Sequence, residues 1–438
     1  MKRALKIVLF ITIFLVFLFF NLIISPLNLD EIWSYGFGHN IFMGLTPYKD
    51  FNMVITPLYP FIVSCVFHIF GSNMLVFHML NALLLTAIFY LMYLFAGRKS
   101  FILLPFFIWP VNVSIPNYNM FILFLFLLLI YLEKKKINGF FIGIVIGLIF
   151  LTKQSVGSVL LLSVLYYYKD KKRFLLEIIG FIIPILIFFV YLIVTKSLSY
   201  FIDLCILGLF DFGSGNGNFI SPLSIVSLVL VLSIIYKIYN KENVLYNLYL
   251  LLFISIVIPI FDYYHFELFF FSYILLFMME IELKKIRLDI MGFLLFIVII
   301  IFDFYRVDFD KSLYPNKVNK FEYRYLDSDS LYTIYNVTKN IEKYNNKVII
   351  IGPDSYYYKL VMDRKIGYLD LINTGNWGYT GSKKLFDKIM NLDKDYVFFV
   401  NPNELGSNKQ TDQKLIKYII DYGVKIEKTL IYDVYKLE

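Results

Sequence analysis

Long apolar runs, separated by short polar and basic breaks, organise the first 304 residues of this 438-residue chain. A helix needs about 20 apolar residues to cross the hydrocarbon core of a bilayer. On that basis the runs predict spanning helices at 5–27, 75–96, 101–116, 119–132, 138–152, 156–168, 175–195, 221–239, 245–261, 267–281 and 288–304. Within the polar stretch 28–74, Pro57 to Phe70 is apolar but short and broken by Pro60 and His68. It reads as a helix lying at the interface. The run after Met1-Lys2-Arg3 is too long for the apolar part of a signal peptide, and no small-residue cleavage site follows before Ser25-Pro26. It reads as a retained first helix. After about residue 305 the pattern changes. β-rich runs at Lys347 to Gly352 and Tyr396 to Val400, and a hairpin from Val424 to Leu437, alternate with helices near 331–345, 383–391 and 411–422. The expected architecture is an α-helical polytopic membrane protein with about eleven transmembrane helices over 1–304. A small C-terminal α/β domain over 305–438 follows it.

Charge placement orients this arrangement. Basic clusters occur at Lys2/Arg3/Lys6, Arg98/Lys99, Lys134 to Lys136, Lys169 to Arg173, Lys237/Lys241 and Lys284/Lys285/Arg287. With eleven crossings all of them fall on one side, which the positive-inside rule makes cytoplasmic. A twelfth crossing at 57–70 would move Arg98/Lys99 and the three lysines at 134–136 outside. The expected location is therefore the plasma membrane, with the N-terminus cytoplasmic and the tail extracytoplasmic. The net charge of +8 serves this orientation and contact with lipid headgroups, not nucleic acid. A hydrophobic fraction of 59% excludes a soluble protein. The two cysteines, Cys65 and Cys205, have no metal-ligand spacing and are not expected to pair. Gly213-Ser214-Gly215-Asn216-Gly217-Asn218 lacks the Lys-Ser/Thr of a phosphate-binding loop and reads as a flexible outer loop, suited to a lid.

Candidate chemistry gathers on the outer segments. The first outer loop, 28–74, opens with Asp30-Glu31 and continues through Gly44-Leu45-Thr46-Pro47-Tyr48-Lys49-Asp50-Phe51 to Pro57-Leu58. A carboxylate partly desolvated at a membrane surface is a stronger base, although Asp and Glu also suit the first turn of a helix. Lys153-Gln154-Ser155 lies at the outer end of a span, where a lysine either snorkels or holds a phosphate. Asp262-Tyr263-Tyr264-His265-Phe266 lies at the outer start of a later helix, where the bland reading is an aromatic interfacial belt.

Together these segments resemble the GT-C membrane glycosyltransferases that use polyprenyl-phosphate sugars, among them protein mannosyltransferases and the aminoarabinose transferases of lipid A. The resemblance is best over about 1–160. It implies that Asp30 is the catalytic base, with Glu31, Tyr48 and Asp50 near the substrate. It implies that Lys153 and Gln154 hold the donor phosphate, with a role for His265. Many members carry an acidic residue in the second outer turn, where this chain has Pro116-Asn117-Tyr118-Asn119. Asn119 can hydrogen-bond a sugar but cannot act as a base, so no metal site is assigned, while a divalent cation is left open. The activity implied is inverting transfer of a hexose or pentose from a polyprenyl-phosphate donor to a glycan, lipid or protein hydroxyl on the outer face. The competing reading is a transporter or flippase of a lipid-linked saccharide. It is disfavoured because carboxylates avoid the helix centres and no repeat is visible.

Overall fold

The computed structural model describes residues 3–23, 29–107, 117–216, 222–258, 260–280, 328–345, 347–352, 355–406 and 412–437. The first part contains helices α1 (Arg3–Ile23), α2 (Leu29–Phe42), α3 (Leu58–Phe70), α4 (Met74–Ala96), α5 (Tyr118–Lys134), α6 (Gly139–Phe150) and α7 (Gln154–Leu160). It continues with α8 (Lys171–Val194), α9 (Leu198–Phe201), α10 (Gly208–Asn216), α11 (Pro222–Tyr239), α12 (Val244–Phe253) and α13 (Tyr263–Glu280). Among the described residues, three stretches are long and apolar enough to cross a membrane: Met74–Pro105, Lys171–Val194 and Pro222–Tyr239. Six shorter apolar helices accompany them among the described residues. The expected span at 288–304, and the end of that at 101–116, lie outside the described residues. The apolar segment expected at the interface is a helix of 13 residues, α3, packed on α2.

Two devices hold the bundle together where apolar packing alone has no register. Asn81 Nδ2 on α4 donates to Asn21 Oδ1 on α1 over 2.6 Å, joining two fully buried amides. Such a pair fixes the relative slide of helices whose other contacts are interchangeable. Helices α6 and α8 meet backbone to backbone. A Cβ at Gly143 would lie 2.0 Å from Glu177 O, and one at Gly180 would lie 2.0 Å from Phe140 O. Gly143→Leu is therefore expected to prise the pair apart and cost about 1–3 kcal/mol of stability. The loss would be read as a lower melting temperature in detergent, and an unchanged melt would contradict the contact.

The basic residues collect at one end of the bundle. Lys6 lies over Tyr93 and Lys134 over Phe95, both rings near the end of α4. Lys99 Nζ donates to Met278 O, and Lys237 lies over Phe277, both at the end of α13. Arg173 binds Glu133 at 2.6 Å and Glu177 at 2.9 Å. Tyr167 and Tyr249 also donate to Glu133. The other end of α13, from Tyr263, belongs to the opposite face of the bundle.

The tail residues carry a four-stranded sheet of order β1-β2-β4-β3: β1 (Val348–Ile351), β2 (Val397–Val400), β3 (Gly423–Lys428) and β4 (Asp433–Leu437). β1 and β2 are parallel, and the other pairings are antiparallel. All strands and helices expected in this region are present, with helices at Ser328–Lys343, Gly381–Met390 and Gln413–Tyr422. Alternate residues of β1 and β2 face two cores. Ile349, Ile351, Phe398 and Val400 pack with Leu385, Ile389, Leu415 and Ile419. Val348, Ile350, Val397 and Phe399 belong to a core continuous with Tyr35, Phe37, Tyr48 and Phe51 of the first loop. The sheet is thus anchored on the loop that carries Asp30.

One expectation is overturned here. The glycine-rich segment from Gly213 does not form a flexible loop at its start, because α10 continues through it to Asn216. Residues 217–221 lie outside the described residues.

Candidate functional site

Asp30 and Glu31 occupy the first turn of α2, where carboxylates complement the exposed N–H groups. Successive helical residues point about 100° apart, so the two side chains diverge. Glu31 turns inward. Its Oε1 lies 3.0 Å from His78 Nε2 of α4, and both side chains have no exposure. This pairing ties the first turn of α2 to the bundle and leaves Asp30 facing a cavity of about 500 Å³. His78→Ala would leave Glu31 buried without this partner, an expected loss of about 3–5 kcal/mol seen as a lower melting temperature. A melt equal to that of the unaltered protein would argue against the anchor.

The rest of the first loop builds the wall rather than the site. Tyr48, with φ +70°, is fully buried and its hydroxyl donates to Ile55 O. Asp50 is exposed and accepts from Thr46 N, closing the turn before it. Glu31, Tyr48 and Asp50, expected near the substrate, do not line the cavity. Each instead supports the geometry of the loop.

The opposite wall comes from the turn between α6 and α7. Leu58 N–H donates to Leu151 O at 2.9 Å, and the Thr56 hydroxyl donates to Phe150 O at 2.7 Å. These bonds seat the turn against the first loop. Gln154 Nε2 donates to both Val54 O and Cys205 O at 3.0 Å, so this amide couples the first loop to the segment before α10. Lys153 and Gln154 both line the cavity. Lys153 Nζ donates to Ile256 O at 3.3 Å.

The third wall is the start of α13. Asp262 Oδ1 accepts from His265 N at 2.8 Å and lies 2.7 Å from His265 Nδ1. Asn119 Nδ2 lies 3.3 Å from His265 Nε2. In the neutral ring, Nδ1–H therefore donates to Asp262 and Nε2 accepts from Asn119. Asn119 itself stands behind His265 and does not line the cavity, whereas Asp262 and His265 do. Asp262 is a site residue for which the sequence reading assigned no role, although it stands in the same motif as His265.

The electrostatics of the cavity follow from this enclosure. Desolvation raises the Asp30 carboxyl above the ordinary aspartate range. His265 and Lys153 oppose that rise and Asp262 adds to it. Desolvation lowers the Lys153 ammonium to about 8, against the pull of Asp30 and Asp262. Burial also pushes Asp262 upward, but the hydrogen bonds from His265 outweigh it and hold Asp262 below the usual range. The result is a basic carboxylate facing a readily discharged lysine across one space. Among the described residues, no three His, Cys, Asp or Glu side chains group as a metal site. Both cysteines are free.

Two further contributors come from far along the chain. Leu209, Phe212 and Gly213, from the α10 helix, close one side. Asn373, Thr374 and Asn376 of the tail close another. Nothing in the composition of an Asn-rich tail separates these residues from their neighbours, and their place depends on tertiary docking alone.

No family model and no curated protein matches the sequence. Solved structures do. The fold superposes on ArnT from Cupriavidus metallidurans bound to undecaprenyl phosphate, with a TM-score of 0.58 and 10% identity, over 99% of this chain and 98% of that one. The apo form of the same protein gives a TM-score of 0.56 at 11% identity, with the same coverage. The chain therefore shares the overall fold of that protein.

Proposed function

We propose that this protein is an inverting glycosyltransferase that moves a sugar from a polyprenyl-phosphate donor to a hydroxyl acceptor on the outer face of the membrane. The carrying observation is that Asp30 and Lys153 line one shared cavity, with the Asp262–His265 pair beside them. The shared fold with a protein that binds undecaprenyl phosphate supports the choice of donor class. The gathering of basic residues at the far end of the bundle supports an outward-facing cavity.

In this reading the lipid phosphate lies against Lys153, with His265 beside it. Asp30 accepts the proton of an acceptor hydroxyl as its oxygen attacks the anomeric carbon. The bond from that carbon to the phosphate oxygen breaks, and its electron pair leaves with the lipid phosphate. One displacement with one carboxylate base inverts the anomeric centre. Lys153 neutralises the charge that develops on the departing phosphate, the main electrostatic demand of the step.

The test uses the full chain in proteoliposomes with radiolabelled undecaprenyl-phosphate sugars and envelope glycan, lipid and protein fractions from a deletion strain. The expected result is acceptor-dependent release of undecaprenyl phosphate with label moved to one fraction. Movement of intact donor across the vesicle membrane, without cleavage, would overturn it.

A further inference from the structure

The segment from Leu371 to Trp377 is held far more tightly than an ordinary surface loop. Asn52 of the first loop is buried and donates both amide hydrogens to it, to Leu371 O at 2.7 Å and Asn376 O at 2.9 Å. Trp377 Nε1 donates to Leu371 O at 3.2 Å, and Asn376 N closes a turn on Asn373 O at 3.1 Å. Gly375 has φ +87°, and a Cβ there would lie 2.5 Å from Phe212 Cα, so the loop abuts the backbone of α10. Asp203 fixes the following residues through Tyr379 N and Lys384.

The backbone of this loop is thus engaged at Leu371, Asn373 and Asn376, while two of its side chains are not. Asn373 is 5% exposed and Asn376 is 1% exposed. Both line the cavity that holds Asp30 and Lys153. In neither does the amide nitrogen or oxygen have a hydrogen-bond partner. Buried amides are nearly always satisfied, so four unpartnered amide atoms in one wall of one cavity call for a ligand. Gln154 Oε1 and Trp33 Nε1, also in the cavity wall, are unpartnered as well.

The chemistry of that ligand follows from the chemistry of the wall. An amide offers a donor and an acceptor without charge, which matches a hydroxyl, itself both donor and acceptor. Among the described residues no ionisable residue of the tail lines the cavity, whose ionisable side chains include Asp30, Lys153, Asp262 and His265. We infer that Asn373 and Asn376 form the subsite that reads the hydroxyls of a neutral glycosyl group, so that the tail selects the sugar while the helical part handles phosphate and proton. This inference rests on the donor class proposed above and adds to it a neutral, polyhydroxylated ring.

Full-length protein in nanodiscs is titrated with undecaprenyl phosphate alone and with its glucosyl, mannosyl, glucuronosyl and 4-amino-arabinosyl forms, by tryptophan fluorescence. The unaltered protein should bind a neutral glycosyl form about tenfold or more tighter than the bare carrier. In the Asn373→Ala/Asn376→Ala double variant that gain should vanish while affinity for the bare carrier stays. Asn52→Ala, which frees the loop without touching its side chains, should reduce the same gain. The double variant should melt no lower than the unaltered protein without ligand, because the atoms removed have no partners. The subsite is overturned, with the donor class intact, if the double variant keeps the neutral-sugar gain or if no sugar adds affinity. A preference for the uronic or amino sugar would overturn its neutral character. Failure to bind any of these lipids would remove the donor class and this subsite together.

Discussion

Asp30→Asn is expected to lower transfer by about 10²–10⁴-fold while leaving donor binding near that of the unaltered protein. The substitution is isosteric, so it removes the base without opening a void. Because burial already opposes the charged form of Asp30, the variant should melt no lower than the parent. The pH profile carries the same information. A base must be deprotonated to act, and the Asp30 carboxyl is raised above its ordinary range. Activity should therefore be complete above that raised value and fall as pH drops through it, at a higher pH than an ordinary aspartate would give. Full transfer by Asp30→Asn would remove Asp30 as the base. So would a parent profile with its acid limb at an ordinary aspartate value.

The sequence announced some of this site and concealed the rest, for physical reasons that differ residue by residue. Strands β1 and β2 were legible because short runs such as Val348–Ile351 are apolar and β-branched. The β3–β4 hairpin was legible from its alternation. The membrane helices were legible as runs, with a segment such as α3, at 13 residues, short enough to fit either a core or an interfacial helix. Asp30, Lys153 and His265 stood at ends of apolar runs, which is where a lipid-linked substrate can be met. Glu31 shared Asp30's motif yet faces His78, because neighbours on a helix cannot face one way. Tyr48 and Asp50 sat beside the site in sequence while serving the turn in space. Helix α10 was missed because glycine content outweighed its tertiary packing. Asn373 and Asn376 lie more than 340 residues from Asp30, and no local pattern marks a residue whose role depends on docking.

Lys153→Met is expected to cost about 10²–10³-fold in transfer, the scale of removing one preorganised group from a developing charge. Lys153→Arg separates charge from bulk. The ammonium of Lys153 is lowered to about 8 by desolvation. Its charged form is present below that value and lost as pH rises through it, so the parent should show an alkaline limb near 8 before donor binds. An arginine stays charged far above that range. The Arg variant should therefore lose the alkaline limb, even if its greater length lowers the maximum rate. A phosphate bound against Lys153 also favours the charged form, so carrier binding near pH 8 should take up protons. Calorimetric titration with undecaprenyl phosphate in buffers of different ionisation enthalpy would read that uptake directly. Binding with no proton uptake in the parent, or an alkaline limb unmoved in Lys153→Arg, would place the phosphate elsewhere.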